Sequence, residues 1–173
     1  MKTIVLGGGC FWCLDPIFTM TEGITDVVVG YAGGGDKNPS YREVCGGRTG
    51  HAEVVKLTYN PNIVSLKKIL EIFFTVHDPT TLNQQDADVG TQYRSIILYQ
   101  DKDDMILANQ IIDQLNESGA YENPIVTEVV PLQEFYPAED YHQDYFANNP
   151  EQSYCQLVIA PKVEKFKRVF DNE

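Results

Sequence analysis

"GYAGGGDKNPS", residues 30–40, decides how this chain is read as a fold. A β-branched run over residues 26–31 leads into it and predicts a strand. Beyond it, "HAEVVKLTY", residues 51–59, predicts a second strand, closed by Asn60 and Pro61. The glycine-rich loop therefore leads from one strand straight towards another. That fits an α+β sandwich better than a fully doubly wound sheet.

Outward from this pair, strands and helices alternate. Residues 3–6 read as a short buried strand ended by three glycines, and residues 11–20 as a helix with Pro16 in its first turn or kinking it. Ser65 caps a helix whose apolar face carries Leu66, Ile69, Leu70, Phe73 and Val76 and which ends at "HDP". Residues 95–99 predict a strand, and "DKDD" opens a helix carrying Met105, Ala108, Ile112 and Leu115. A strand over residues 125–130, a short helix over 139–147 and a terminal helix over 163–170 complete the reading. No repeat, low-complexity segment or linker divides the chain, so a single domain over residues 1–173 is expected.

Apolar residues make up 43% and charged residues 22% of the 173, a globular composition long enough to bury one core without disulfides. A net charge of −12 argues against binding nucleic acid or an anionic membrane surface. There is no apolar run of about 18 residues to span a bilayer. "VLGGGC" is preceded by too short an apolar stretch for a signal, so a cytoplasmic protein is expected. Four cysteines, Cys10, Cys13, Cys45 and Cys155, are too few for a disulfide scaffold and would stay mostly reduced there.

"GGGCFWCLD", residues 7–15, places Cys10 directly after a strand and a glycine turn, at a helix N-terminus. Free backbone N–H groups and the helix dipole there favour a thiolate, and glycine leaves the sulfur uncovered. Cys13, three residues on, shares its face and could close a disulfide with little movement. A redox pair, a metal site and two buried structural cysteines all remain open on this spacing. The metal site lacks a second ligand pair, since Cys45 and Cys155 are isolated. Phe11 and Trp12 replace the small residues of a thioredoxin-like motif. Two exposed rings beside a reactive thiol suggest an apolar pocket for a small group such as a methyl.

In "HAEVVKLTY", Glu53 shares its face with Val55, Leu57 and Tyr59. A carboxyl on the apolar face is desolvated, its pKa rises, and it becomes a candidate general acid; at the strand end it could instead reach water. His51 lies on the same face, where a structural role is favoured over tuning Glu53. "DVGTQYRS" adds Asp88, Tyr93 and Arg94 in a loop before a strand, a weak signal alone.

Four blocks together resemble the A-type peptide methionine sulfoxide reductases: "GGGCFWC", "YREVCGGRTGHAEVVKLTYNP", "HDPTTLNQQDADVGTQYRS" and "FYPAEDYHQDY", in order and through most of the chain. The resemblance implies a two-layer α/β sandwich related to the ferredoxin-like arrangement, with a mixed, mostly antiparallel sheet. It implies Cys10 as nucleophile, Phe11 and Trp12 as the S-methyl pocket, and Glu53 as general acid. Tyr41 and Tyr93 would hydrogen-bond the sulfoxide oxygen, with Asp88 in support. The substrate would be the S epimer of methionine sulfoxide, free or in proteins, and thioredoxin the reductant. No cofactor, metal, nucleic acid or membrane partner is implied, and a monomer is expected.

The chain departs from a common pattern of that family at the resolving thiol. Many members have glycine where Cys13 stands and resolve with C-terminal cysteines. Here Cys155, in "SYC", resembles one of those, but the chain runs on through "QLVIAPKVEKFKRVF" with no glycine-rich cysteine tail. Cys13 is the expected resolving cysteine and Cys155 the alternative. Cys45 is expected to be buried and structural, and His77 and His142 structural, with His142 a candidate to buttress the site.

Overall fold

The computed structural model describes residues 1–170. A six-stranded sheet runs through it, built from β1 (Lys2–Gly7), β2 (Ile24–Ala32), β3 (Ala52–Tyr59), β6 (Ile96–Tyr99), β7 (Glu128–Pro131) and β8 (Phe135–Pro137). Two short strands, β4 (Gln84–Gln85) and β5 (Asp88–Val89), form a separate hairpin. The order across the sheet is β7-β6-β1-β3-β2-β8. Every pairing is antiparallel except β6 with β7, so the sheet is mixed. Helices are α1 (Phe11–Thr19), α2 (Tyr41–Cys45), α3 (Leu66–Val76), α4 (Lys102–Ser118), α5 (Tyr145–Asn148) and α6 (Ala160–Phe170).

Alternation along the strands sorts side chains between two cores. Ile4, Leu6, Val29, Val55, Leu57 and Tyr59 meet α1, α3 and α6 in the larger one. Val5, Ala32, Val54, Ile96 and Leu98 form a smaller core on the opposite face, covered by Val130, Leu132 and Phe135. Gly30 is required where β8 pairs with β2: a Cβ there would lie 2.4 Å from the Tyr136 carbonyl oxygen. At the other end of the sheet, Gly9 takes φ +88° to turn β1 into α1, and its N–H donates to the Tyr93 carbonyl at 3.2 Å.

Several elements differ from the sequence reading. The path from β2 to β3 is not all loop. Ser40 accepts from the Glu43 N–H while the Glu43 carboxyl accepts from the Ser40 N–H, and this capping box nucleates α2. The strand expected over residues 125–130 is shifted to Glu128–Pro131, because the Ile125 N–H donates to the Asn116 side chain and the Val126 N–H to the Pro79 carbonyl. The helix expected over residues 139–147 is broken. A 3₁₀ turn, Asp140–His142, is separated from α5 by Asp144 at φ +53°, whose N–H donates to Asp15 Oδ2 at 2.9 Å. A π-type turn, Cys155–Ile159, precedes α6, so the terminal helix begins earlier than expected. Pro16 lies inside α1, beyond its first turn.

Candidate active site

Cys10 is the N-cap residue of α1, in extended conformation and without a side-chain cap. The expectation of a stabilised thiolate does not hold here. The residue is 6% exposed, and burial, then Glu53 and Cys13, hold its thiol well above the ordinary cysteine range. The Trp12 N–H and the Tyr154 hydroxyl oppose this without overcoming it. Desolvation of a charged sulfur outweighs the helix terminus. Cys13 is also buried, pushed up to about 11 chiefly by burial, and its N–H donates to the Cys10 carbonyl at 3.0 Å. All four cysteines are free thiols.

Glu53 is wholly buried on β3, on the face the strand alternation assigns it, opposite Tyr31 of β2. Its Oε1 accepts the Phe11 N–H at 3.2 Å, and Oε2 meets no hydrogen-bond partner among the described residues. Burial pushes the carboxyl up to about 8; the Phe11 N–H and the Cys10 thiol pull it down, and Asp88 adds to the rise. A neutral, proton-bearing carboxyl thus stands beside the thiol at neutral pH.

Tyr41, at the start of α2, and Tyr93, in the 3₁₀ turn Thr91–Tyr93, lie near the same groups. Both phenols are raised by burial first and then by Glu53, with Cys10 contributing to each. Phe11 is not an exposed ring. It is fully buried against Tyr31, Tyr41 and His142, at ring distances of 5.7, 6.2 and 5.3 Å. The half-buried wall is Trp12, stacked at 3.8 Å on Tyr145 and donating its indole N–H to His142 Nδ1 at 3.0 Å. The Asp88 carboxylate of β5 accepts from the Tyr154 hydroxyl at 2.7 Å, and that hydroxyl lies 3.9 Å from Cys13 Sγ.

Cys10, Glu53, Tyr41, Tyr93, Asp88, Cys13, Phe11 and Trp12 therefore gather at one end of the sheet. The sequence reading missed Tyr154, which sits between the quoted blocks and the cysteine that drew notice in "SYC". It also missed Glu139, whose carboxylate accepts from the Tyr31 hydroxyl and the Tyr41 N–H and so fixes the aromatic wall. Cys45 is exposed, not buried, because α2 ends there at the surface. Cys155 is buried in the larger core. His51 holds the glycine-rich loop, accepting from the Gly34 N–H at 3.0 Å and bonding the Asp36 carbonyl at 2.6 Å. His77 is buried between the Phe73 carbonyl and the Ser95 hydroxyl. Among the described residues no group of three or more His, Cys, Asp or Glu is placed to hold a metal, and no helix is long and apolar enough to cross a membrane.

Comparison with known proteins gives one consistent result. The profile of the family described as "Peptide methionine sulfoxide reductase" matches residues 2–173. The chain is 57% identical over 169 residues to the peptide methionine sulfoxide reductase MsrA of Nautilia profundicola, covering 98% of this chain and 96% of that protein. Mxr1 from Saccharomyces cerevisiae in reduced form superposes with a TM-score of 0.83 at 37% identity, over 90% of this chain and 89% of that one. Mxr1 in complex with Trx2 superposes with a TM-score of 0.59 at 29% identity, over 83% and 84% of the two chains.

Proposed function

The chain belongs to the peptide methionine sulfoxide reductase family, and from that premise we propose that it reduces the S epimer of methionine sulfoxide, free or in proteins. It is an oxidoreductase with that family's activity, suited to repairing oxidised methionine under oxidative stress. Thioredoxin is its reductant, a reading supported by the similarity to Mxr1 in complex with Trx2. We place the protein in the cytoplasm, as a monomeric catalytic domain over residues 1–173. We also take the core as a ferredoxin-like two-layer sandwich. The fully antiparallel order β6-β1-β3-β2, with α1 joining β1 to β2 and α3 between β3 and β6, supports it.

A sulfoxide sulfur is a poor electrophile until its oxygen is protonated or tightly hydrogen-bonded. Glu53 supplies the proton, and the Tyr41 and Tyr93 hydroxyls hold the oxygen. Such preorganised donors are each worth about 10²–10³ in rate. Trp12, backed by the buried Phe11, takes the S-methyl group. As the Cys10 sulfur bonds to the substrate sulfur, its proton passes to the Glu53 carboxylate. Oxygen transfer then leaves methionine, a Cys10 sulfenic acid and Glu53 protonated again. The substrate sulfur is reduced by two electrons and the Cys10 sulfur oxidised by two. Cys13 condenses with the sulfenic acid, releasing water and forming a disulfide that thioredoxin opens by exchange.

The observation that carries this reading is the buried Glu53 carboxyl, raised to about 8 beside the Cys10 thiol, which thiol–disulfide exchange alone does not need. The test is NADPH consumption with thioredoxin and its reductase, offering the S and R epimers of a methionine sulfoxide peptide separately. Turnover of S only, lost in Cys10→Ser, is expected. Turnover surviving in Cys10→Ser, or of neither epimer even with a small dithiol, would overturn it.

A further inference from the structure

Tyr154 is placed as no other side chain in the site is. Its hydroxyl lies 3.9 Å from Cys13 Sγ and donates its one proton to Asp88 Oδ2 at 2.7 Å. Its ring meets Trp12 edge-on at 5.9 Å, which fixes the phenol over α1. While its proton rests on Asp88, the phenol oxygen offers lone pairs to the Cys13 thiol; the same hydroxyl can turn to a thiolate at Cys10, which it also favours. Thiol, phenol and carboxylate then form one directed chain, in which the thiol donates to the phenol and the phenol to the carboxylate. Asp88 makes no such bond to Tyr41 or Tyr93, the two tyrosines set beside the sulfoxide oxygen.

We propose that Tyr154 is a catalytic residue of the resolving step, relaying the Cys13 thiol proton to Asp88 as Cys13 attacks the Cys10 sulfenic acid. This rests on the reading above that Cys10 attacks substrate and Cys13 resolves. As the S–S bond forms, the Cys13 S–H bond breaks, its proton passes to the phenol oxygen, and the phenol proton passes to Asp88. The Cys10 S–O bond breaks with its electron pair, and the hydroxide leaves as water on taking the Glu53 proton. Asp88 then releases its proton and Glu53 regains one, so the net change is two cysteines and one oxygen to a disulfide and water. Cys13 sulfur is oxidised by one electron and Cys10 sulfur reduced by one.

The arrangement answers a difficulty the site sets itself. Burial keeps the Cys13 thiol protonated at neutral pH, and the carboxylates of Asp88 and Asp86 disfavour its thiolate further. A buried, protonated thiol attacks slowly unless its proton has somewhere to go as the bond forms. Lys162, 3.2 Å from Asp86, and the Tyr154 hydroxyl act the other way, but burial prevails and the thiol stays protonated.

The test is a single turnover without reductant, with methionine released, thiols lost and dimedone adduct on Cys10 measured together. Wild type releases one methionine, loses two thiols and gives no adduct. Tyr154→Phe is expected to release one methionine, form the adduct, and close the disulfide about 10²-fold more slowly, the low end for general acid–base catalysis. Cys13→Ser supplies the full-adduct reference. Disulfide closure at the wild-type rate in Tyr154→Phe would overturn the proposal. So would methionine release slowed as much as closure, with no adduct, since the hydroxyl would then act in the first step. If the variant does not fold, closure in wild type must still slow in D₂O, and an unchanged rate counts against the relay. A disulfide that forms in Cys13→Ser removes the underlying reading instead, in an enzyme whose Tyr154 is intact.

Discussion

Glu53 Oε1 accepts the backbone N–H of Phe11 at 3.2 Å, so the carboxyl on β3 is tied to the first peptide of α1, one residue past Cys10. One strand and one helix thereby fix the Glu53 carboxyl and the Cys10 thiol against each other. Glu53→Gln keeps the shape and an acceptor for Phe11 but removes the proton. Sulfoxide reduction is expected to fall by about 10²–10³ in kcat with little change in KM. Steady-state kinetics on a methionine sulfoxide peptide measures it, and a loss under tenfold would remove Glu53 as the acid.

The raised carboxyl also sets a pH dependence. With Glu53 at about 8 in the fold against 4.5 unfolded, the folded state holds the extra proton. The stability associated with it is complete below about 4.5 and lost as pH rises through about 8. Asp15, raised to about 6, acts in the same direction at lower pH, while His77, lowered to about 4, makes the fold gain stability as pH rises towards 6.5. Between pH 6.5 and 8 Glu53 therefore stands clear of both. Urea denaturation should show wild type losing stability across that interval and Glu53→Gln holding level. The rate of methionine release should fall over the same interval in wild type only.

The buried, neutral Cys10 thiol leads to an unusual labelling order. Thiolate is what alkylates, and Cys10 and Cys13 are shielded as well as protonated. Iodoacetamide at pH 7 is expected to label exposed Cys45 first, with Cys10 alkylation staying slow through pH 9 and rising only above it. Peptide mass mapping reads the order. Rapid Cys10 labelling at pH 7 would mean that the resting site holds a thiolate after all.

The residues say much of this beforehand, and where they do not, the reason is physical. Strand alternation puts Glu53 on the face of Val55, Leu57 and Tyr59, and the fold settles that this end of the strand is buried and not open to water. The Ser65 cap and the apolar stripe behind it make α3 legible; Ser65 Oγ accepts from the Lys68 N–H at 3.1 Å. The capping signature of α2 was equally present in Ser40 and Glu43 but lay hidden in a five-residue helix after a glycine-rich loop. The residues alone favour a Cys10 thiolate that the fold does not, because a helix terminus is visible in sequence and burial is not. Tyr154 was invisible for another reason. It joins Asp88 across 66 residues, and neither periodicity nor a motif links a tyrosine before π-type turn 155–159 to a two-residue strand.

His142 is fully buried, and its Nδ1 accepts the Trp12 indole N–H at 3.0 Å. With Nδ1 accepting, the neutral ring carries its proton on Nε2, which has no partner among the described residues; burial holds the ring below its ordinary pKa. The ring also packs at 4.3 Å on Tyr41 and 5.3 Å on Phe11, so one side chain spans Trp12, Phe11 and Tyr41. His142→Ala would orphan the indole N–H and open a cavity against both rings. Together these are expected to cost about 2–4 kcal/mol, readable as a lower urea midpoint at unchanged m. A loosened Trp12 should raise KM more than it lowers kcat, because the pocket holds substrate and transition state alike. His142→Gln restores an acceptor for the indole and should recover most of the KM. Equal KM values for the Ala and Gln variants would show that packing alone, not the bond to Trp12, holds the pocket open.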